Sequence, residues 1–495
     1  MMMDLKEFLE LSKNYNVIPV TKRLFAGSET PIGIYQKLAG SRPDTFLLES
    51  AEQGVWGRYS FIGAASRGQL LADDSGAHWV GSSSPLPENG QLPIDPVAAL
   101  DTVQSSWRSS PVDFPLSSGL VGFMSWGAVN LTEQLPSAKK ASYSIPLYGF
   151  NQFSELVVMD HQRSELILVS VVFLEADGRE ADYDRALASI DALEAKVREQ
   201  TPAMISEPNW PEAEFSSNTE HSEFLGKVEL AKEHVRKGDV FQVVISQRFD
   251  QDVVADALDV YRAMRALNPS PYMYLTRWAD SEGEFAIVGS SPEALVKMVG
   301  DRVITHPIAG SRPRADSAAA DNQLAEDLLA DQKERSEHLM LVDLARNDLL
   351  KICDPTSLQV TEFMQIHKFS HVMHLVSTVE GQLSKNVSKV KAMLATFPAG
   401  TLSGAPKPRA LEIIHDLEDE YRGLFGGVVG YFDFQGNADL AIAIRTAVIR
   451  DGVARVQAGA GIVLDSDPES EYQETLAKAA VVLRAVSAAN AMTNG

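Results

Sequence analysis

Apolar residues in the first part of the chain come in short runs rather than at helical spacing. Thr45-Phe46-Leu47-Leu48-Glu49-Ser50 and Tyr59-Ser60-Phe61-Ile62-Gly63 each predict a strand, and residues 155–174 predict two more around the polar turn Asp160-His161-Gln162-Arg163. The period changes over residues 184–198, where Leu187, Ile190, Leu193 and Val197 share one helical stripe. Residues 201–220 carry Pro202, Pro208 and Pro211 among Ser, Asn and Glu, which reads as a connecting segment. Two regions are therefore expected, 1–205 and 215–490.

The second region opens with a predicted helix over 222–237, capped by Ser222 and stopped by Gly238, and a strand over 240–249. Further β-rich runs at 286–289, 294–299, 428–434, 441–449 and 454–463 alternate with helices without a regular βαβ period. That mixture predicts the α+β class, and no repeat of solenoid length is present.

Composition narrows the partners. Over 495 residues, 44 Lys and Arg face 67 Asp and Glu, a net charge of −23, which disfavours nucleic acid or an anionic membrane as a general partner. The acidic N-terminus lacks a signal-peptide pattern, and the apolar run at 166–174, broken by Ser170, is too short to span a bilayer, so a cytoplasmic location is expected. Cys353 is the single cysteine and sits beside Ile352 and Asp354-Pro355 without a Gly-rich elbow, which points to a structural role.

The chemistry concentrates in two acidic pairs, Glu334 with Glu337 and Glu471 with Glu474. Each pair lies one turn apart on a helix face, and Lys478 follows the second pair by one turn more. If the faces meet, the like charges raise one another's pKa unless a cation sits between them. All-oxygen ligands with room for water and an anion suit Mg²⁺; solvated helix faces are the alternative for either pair alone. A di-iron bundle would need Glu-x-x-His, and the fourth position here is Glu each time.

Two Gly-containing loops, 397–407 and 457–462, either cradle an anion with backbone N–H groups or make tight turns. Arg445 stands in a predicted apolar strand, where burial demands a carboxylate, from the protein or from a ligand. His374 is a general base or a structural histidine, and Glu293 a general acid if burial raises its pKa.

Taken together, the runs at 333–348, 400–407, 457–462 and 471–478 make the chain similar to the chorismate-utilising enzymes, and within them to component I of anthranilate synthase, over nearly its whole length. The resemblance implies a two-sheet β-sandwich core flanked by helices, with chorismate and Mg²⁺ in a cleft. It makes Glu337 and Glu474 direct Mg²⁺ ligands and Glu334 and Glu471 ligands through water. Thr401, Gly461 and Lys478 would adjoin the ring carboxylate, and Arg445 would pair with the enolpyruvyl carboxylate. Glu293 would protonate the departing C4 hydroxyl as ammonia adds at C2, and His374 would assist loss of pyruvate. Gln242, Thr305, Ala309, Gly310, Phe425, Gly459 and Ala460 would complete the substrate contacts.

The same resemblance implies anthranilate formation, the first step of tryptophan biosynthesis. Ammonia would come from glutamine through a separate amidotransferase subunit, component II, and a heterotetramer of the two is expected. Feedback by tryptophan is implied at Leu48, Glu49 and Ser50 together with Asn268, Pro269, Ser270, Pro271, Tyr272 and Met273. Ala309 stands where aminodeoxychorismate synthases commonly carry a nucleophilic Lys, and Gln242 where isochorismate and salicylate synthases carry a Lys that activates water. Phe425, His306 and Ser311 depart from the family's usual Tyr, Arg and Thr. Aminodeoxyisochorismate synthase, aminodeoxychorismate synthase and a catalytically silent tryptophan sensor are the competing readings.

Overall fold

Two long strands, Tyr59–Asp73 and Tyr148–Asp160, pair antiparallel along their length and belong to two sheets at once. The computed structural model that shows this describes residues 3–50, 57–135, 139, 141–174, 179–201, 205–207, 209–315, 317–368 and 372–493; Pro202 and Pro208 of the expected linker lie outside them. The first sheet runs outward through Thr45–Glu49, Tyr272–Asp280, Gly283–Ser291, Thr446–Arg450, Val453–Ile462 and Gln242–Asp252. Glu165–Phe173 and Val17–Phe25 extend it on the other side. The second sheet runs through Gly119–Met124, Val428–Asp433, Ala438–Ile442, Ala294–Val299, Arg302–Thr305 and Val372–Gln382.

Side chains from both sheets meet between them. Phe123 and Val429 of the second pack with Trp278, Phe285 and Val448 of the first, and the Phe123 and Trp278 rings stand edge to face at 5.0 Å. Helices cover the outer faces: Ile34, Ile190, Met264 and Val482 pack on the first sheet, as do the helices of Val228 and Leu411 along Gln242–Asp252, and Val103 and Met393 pack on the second. The architecture is the expected α+β sandwich with flanking helices. Among the described residues no helix is long and apolar enough to cross a membrane.

Three local expectations are corrected. The helix His221–Lys237 takes Glu220 as its N-cap, without a side-chain cap bond, so Ser222 lies inside the first turn; Gly238 does end it, at φ 79°. The helix expected from residue 184 begins at Arg179, because Tyr183 packs on Phe8 with ring centroids 5.3 Å apart. The strand expected over 441–449 is two strands, Ala438–Ile442 in the second sheet and Thr446–Arg450 in the first. The chain changes sheets between them, and Arg445 is at φ 51°, outside either strand.

Candidate active site

Glu293 also lies at a change of sheet, between Gly283–Ser291 and Ala294–Val299. The two crossings are tied together: Ile442 N–H donates to the Glu293 carbonyl at 2.9 Å, the Ser291 hydroxyl to the Ile442 carbonyl at 2.7 Å, and Ser290 N–H to the Arg445 carbonyl at 3.1 Å. Glu293 and Arg445 therefore sit at two layer changes that are bonded to each other.

Burial pushes the Glu293 carboxyl up to about 7, against the Thr401 hydroxyl, which donates to Oε1 at 3.0 Å, and the nearby charge of Lys478. Thr401 rides on the short turn Gly400–Ser403. A Cβ at Gly400 would stand 1.8 Å from Leu344 Cδ2, so glycine lets the turn press on the helix Gln332–Leu350. Lys407, just after the turn, reaches Asp348 at the far end of that helix over 3.0 Å, and both side chains are buried. The sequence reading missed this clamp, although both residues closed motifs it had quoted.

Arg445 has its pKa lowered by burial and makes no ion pair with a carboxylate among the described residues. His374, on Val372–Gln382, is held below its usual range by burial and then by the Arg445 charge, so it is neutral near pH 7. Its Nδ1 lies 3.0 Å from both Ser311 Oγ and the Gly310 carbonyl. Gly310, at φ 68°, backs onto Glu334: a Cβ there would meet Oε2 at 3.0 Å. Ala309 pairs with Leu375 next to it.

The strand Val453–Ile462 carries Gly459, Ala460 and Gly461 opposite Ser246, Ile245 and Val244. The Gln242 amide lies over Gly461, where a Cβ would come within 2.2 Å of Nε2, and Lys478 donates to the Gly459 carbonyl at 2.9 Å. Thr305 lines a small cavity with Glu293 and Thr401. Phe425 is buried in the helix-side core with the Arg422 guanidinium 5.6 Å from its ring.

The acidic pairs ride on Gln332–Leu350 and Pro468–Thr493. Burial raises the Glu337 pKa, opposed by Lys333, and the charges of Glu334 and Glu474 raise it further, so the two helix faces approach. Burial likewise raises Glu471, against a bond from Ser466 and with a further rise from Glu474. No group of three or more His, Cys, Asp or Glu side chains among the described residues is gathered tightly enough to hold a metal. Cations of the chain partner the carboxylates instead: Lys478 on Glu474 at 2.6 Å, Arg312 on Glu334 at 3.4 Å and Lys333 on Glu337 at 4.0 Å. Mutual repulsion and an oxygen-only donor set fit a hard divalent cation by chemistry.

A second cavity, about 740 Å³, opens between the sheets. Leu48, Glu49, Ser50, Pro271, Tyr272 and Met273 line it, uniting segments far apart in sequence. Glu49 accepts from Tyr261 at 2.5 Å and pairs with Arg265 at 3.3 Å, while the buried Ser50 Oγ has no hydrogen-bond partner among the described residues. Asn268 Nδ2 donates to Ser270 Oγ at 3.2 Å and to Ser290 Oγ at 3.0 Å behind the Pro269–Pro271 corner. Cys353 is buried, and burial pushes its thiol up to about 11, an inert state.

The model of the chorismate binding enzyme family matches residues 43–484, and the chain belongs to that family. It is 47% identical to an anthranilate synthase component 1 of Arthrobacter globiformis, over 99% of this chain and 94% of that one, and 44% identical to that of Mycolicibacterium smegmatis, over 98% and 93%. The crystal structure of anthranilate synthase component I from Streptococcus pneumoniae TIGR4 superposes with a TM-score of 0.77 at 34% identity, covering 93% of this chain and 99% of that one. Within the family the chain stands with anthranilate synthase component 1, a lyase.

Proposed function

We propose that the chain converts chorismate and ammonia into anthranilate and pyruvate. The carrying observation is Glu293: a carboxyl that stays protonated up to about pH 7 and is oriented by Thr401 can give a proton to a departing hydroxyl. The C4–O bond then breaks as ammonia adds at C2, and water leaves. Arg445, a buried cation without a carboxylate partner among the described residues, would pair with the enolpyruvyl carboxylate. Lys478 and the Thr401 and Gly461 backbone region would hold the ring carboxylate. Neutral His374 can accept a proton when pyruvate is eliminated and the ring becomes aromatic.

Mg²⁺ is part of this reading: Glu337 and Glu474 would hold it directly, and Glu334 and Glu471 through water. When bound it would neutralise the ring carboxylate and the charge that develops during elimination. A separate glutamine amidotransferase subunit would supply ammonia, and the assembly would work in the cytoplasm. Tryptophan would occupy the 740 Å³ cavity as feedback inhibitor. In this reading residues 1–205 carry part of the inhibitor site and 215–490 the catalytic groups.

The test is product analysis of purified chain with chorismate, ammonium salt and Mg²⁺, with and without EDTA. Anthranilate and pyruvate, lost with EDTA, are expected. An amino product that keeps the enolpyruvyl group, or no turnover despite tryptophan binding, would overturn the proposal.

A further inference from the structure

Arg422 is 1% exposed, and its guanidinium lies between the Trp126 ring, 4.4 Å from the centroid, and the Phe425 ring. Nε and Nη2 donate to the two Glu418 carboxylate oxygens at 2.7 and 2.6 Å. Nη1 donates to the Leu402 carbonyl at 2.7 Å, and Nη2 also donates to the Val244 carbonyl at 2.8 Å. Glu418 in turn accepts from the Ser246 backbone N–H and hydroxyl, each at 2.8 Å, and the Ser246 hydroxyl accepts from Gln457 at 2.8 Å. Leu402 adjoins Thr401 on the turn Gly400–Ser403, and Val244 is the register partner of Gly461. Gly404 and Ala405 pair with Val243 and Gln242, so the far end of the turn is bonded to the same strand, and the guanidinium fastens the near end.

A buried ion pair is weak evidence of stability, because apolar groups of similar volume often hold a fold as well. What such groups lack is a donor for the two carbonyls. The planar guanidinium serves a carboxylate and the carbonyls of two other elements at once, whereas a lysine ammonium is a single point. We propose that Arg422 is a positioning residue: it sets the Thr401 turn and the Gly461 strand at one fixed spacing, so that both meet the same substrate carboxylate. The inference rests on the reading of Thr401 and Gly461 as neighbours of the ring carboxylate and of Glu293 as the acid.

The experiment compares Arg422→Lys and Ser246→Ala, which removes one bond to Glu418, with Ile190→Ala, a core truncation in the helix Arg179–Val197 packed against other elements. Steady-state rates against chorismate and ammonium chloride are measured across pH below the melting range of each variant, together with amide hydrogen exchange of segments 243–247 and 399–405. Arg422→Lys is expected to lose about 10²-fold in kcat/KM for chorismate, the scale of a misplacement of about 1 Å, while the KM for ammonia stays constant. Its kcat midpoint moves upward, because a displaced Thr401 loses its bond to Glu293. Ser246→Ala shifts the same parameters in the same direction by a smaller factor, and it decides the matter if Arg422→Lys does not fold. Ile190→Ala melts lower with both parameters unchanged. A folded Arg422→Lys that only melts lower, an unchanged Ser246→Ala, or an Ile190→Ala that reproduces the kinetic losses overturns the proposal. If the unaltered chain makes no anthranilate, it is the proposed function that fails. Hydrogen exchange then decides on the clamp: faster exchange of both segments in Arg422→Lys than in Ile190→Ala supports it, and equal exchange overturns it.

Discussion

Thr401 donates to Glu293 across 3.0 Å, and that one bond opposes the burial that pushes the carboxyl up to about 7. The proton on Glu293 is therefore present below about pH 7 and lost above it. Under the proposed mechanism kcat falls with rising pH through that value. Thr401→Val removes the bond that favours the ionised form, so the midpoint moves upward; pH–rate profiles of the two proteins check this.

Glu293→Gln separates chemistry from stability. Loss of the acid is expected to cost about 10²–10⁴-fold in kcat. A carboxyl whose folded pKa is raised destabilises the fold as pH climbs from the unfolded value toward and past 7. The Gln variant should thus melt higher than the unaltered chain at pH 8 and no higher at pH 4. Melting curves at both values decide it.

Glu337 gives a metal test that does not depend on turnover. Burial first, and then the charges of Glu334 and Glu474, raise its pKa, so its ionised form is unfavourable in the metal-free fold at neutral pH and Glu337→Gln is expected to melt at or above the unaltered chain in EDTA. Mg²⁺ at a hundredfold excess over its Kd stabilises a binding fold by about 2.7 kcal/mol. That gain should appear in the unaltered chain and be largely absent from the variant, which should also lose Mg²⁺-dependent activity.

Ser50 lines the large cavity, and its hydroxyl has no hydrogen-bond partner among the described residues. A lost neutral hydrogen bond costs about 0.5–1.5 kcal/mol, so Ser50→Ala should raise the tryptophan concentration for half-inhibition roughly two- to tenfold. Inhibition curves of the two proteins measure the shift.

Gly400→Ala places a methyl 1.8 Å from Leu344. Overpacking of this kind costs about 1–3 kcal/mol. Because the displaced turn carries Thr401, the variant should lose kcat as well as melting temperature, and Leu344→Ala in the same chain should restore part of both.

The acidic pairs, their helices and most strands were legible because periodicity and motif spacing are local properties. Arg445 was misplaced because a positive φ at a layer change leaves an apolar run looking like one strand. The Lys407–Asp348 pair joins residues far apart in sequence, and no local pattern encodes such a meeting; Leu48–Ser50 and Pro271–Met273, which line the 740 Å³ cavity together, were joined only through the family resemblance. Tyr183 lengthened its helix through a contact with Phe8, again across the chain.

The interlaced strands have a consequence for how the chain can be divided. Thr45–Glu49 is bonded to Tyr272–Asp280, and Gly119–Met124 to Val428–Asp433, so each sheet draws strands from both sides of the 201–220 segment. A nick there would produce two fragments with unsatisfied strand edges rather than two self-sufficient domains. Such fragments would need each other to fold, and a gene split at this point should yield working protein when both pieces are made together and insoluble material when either is made alone.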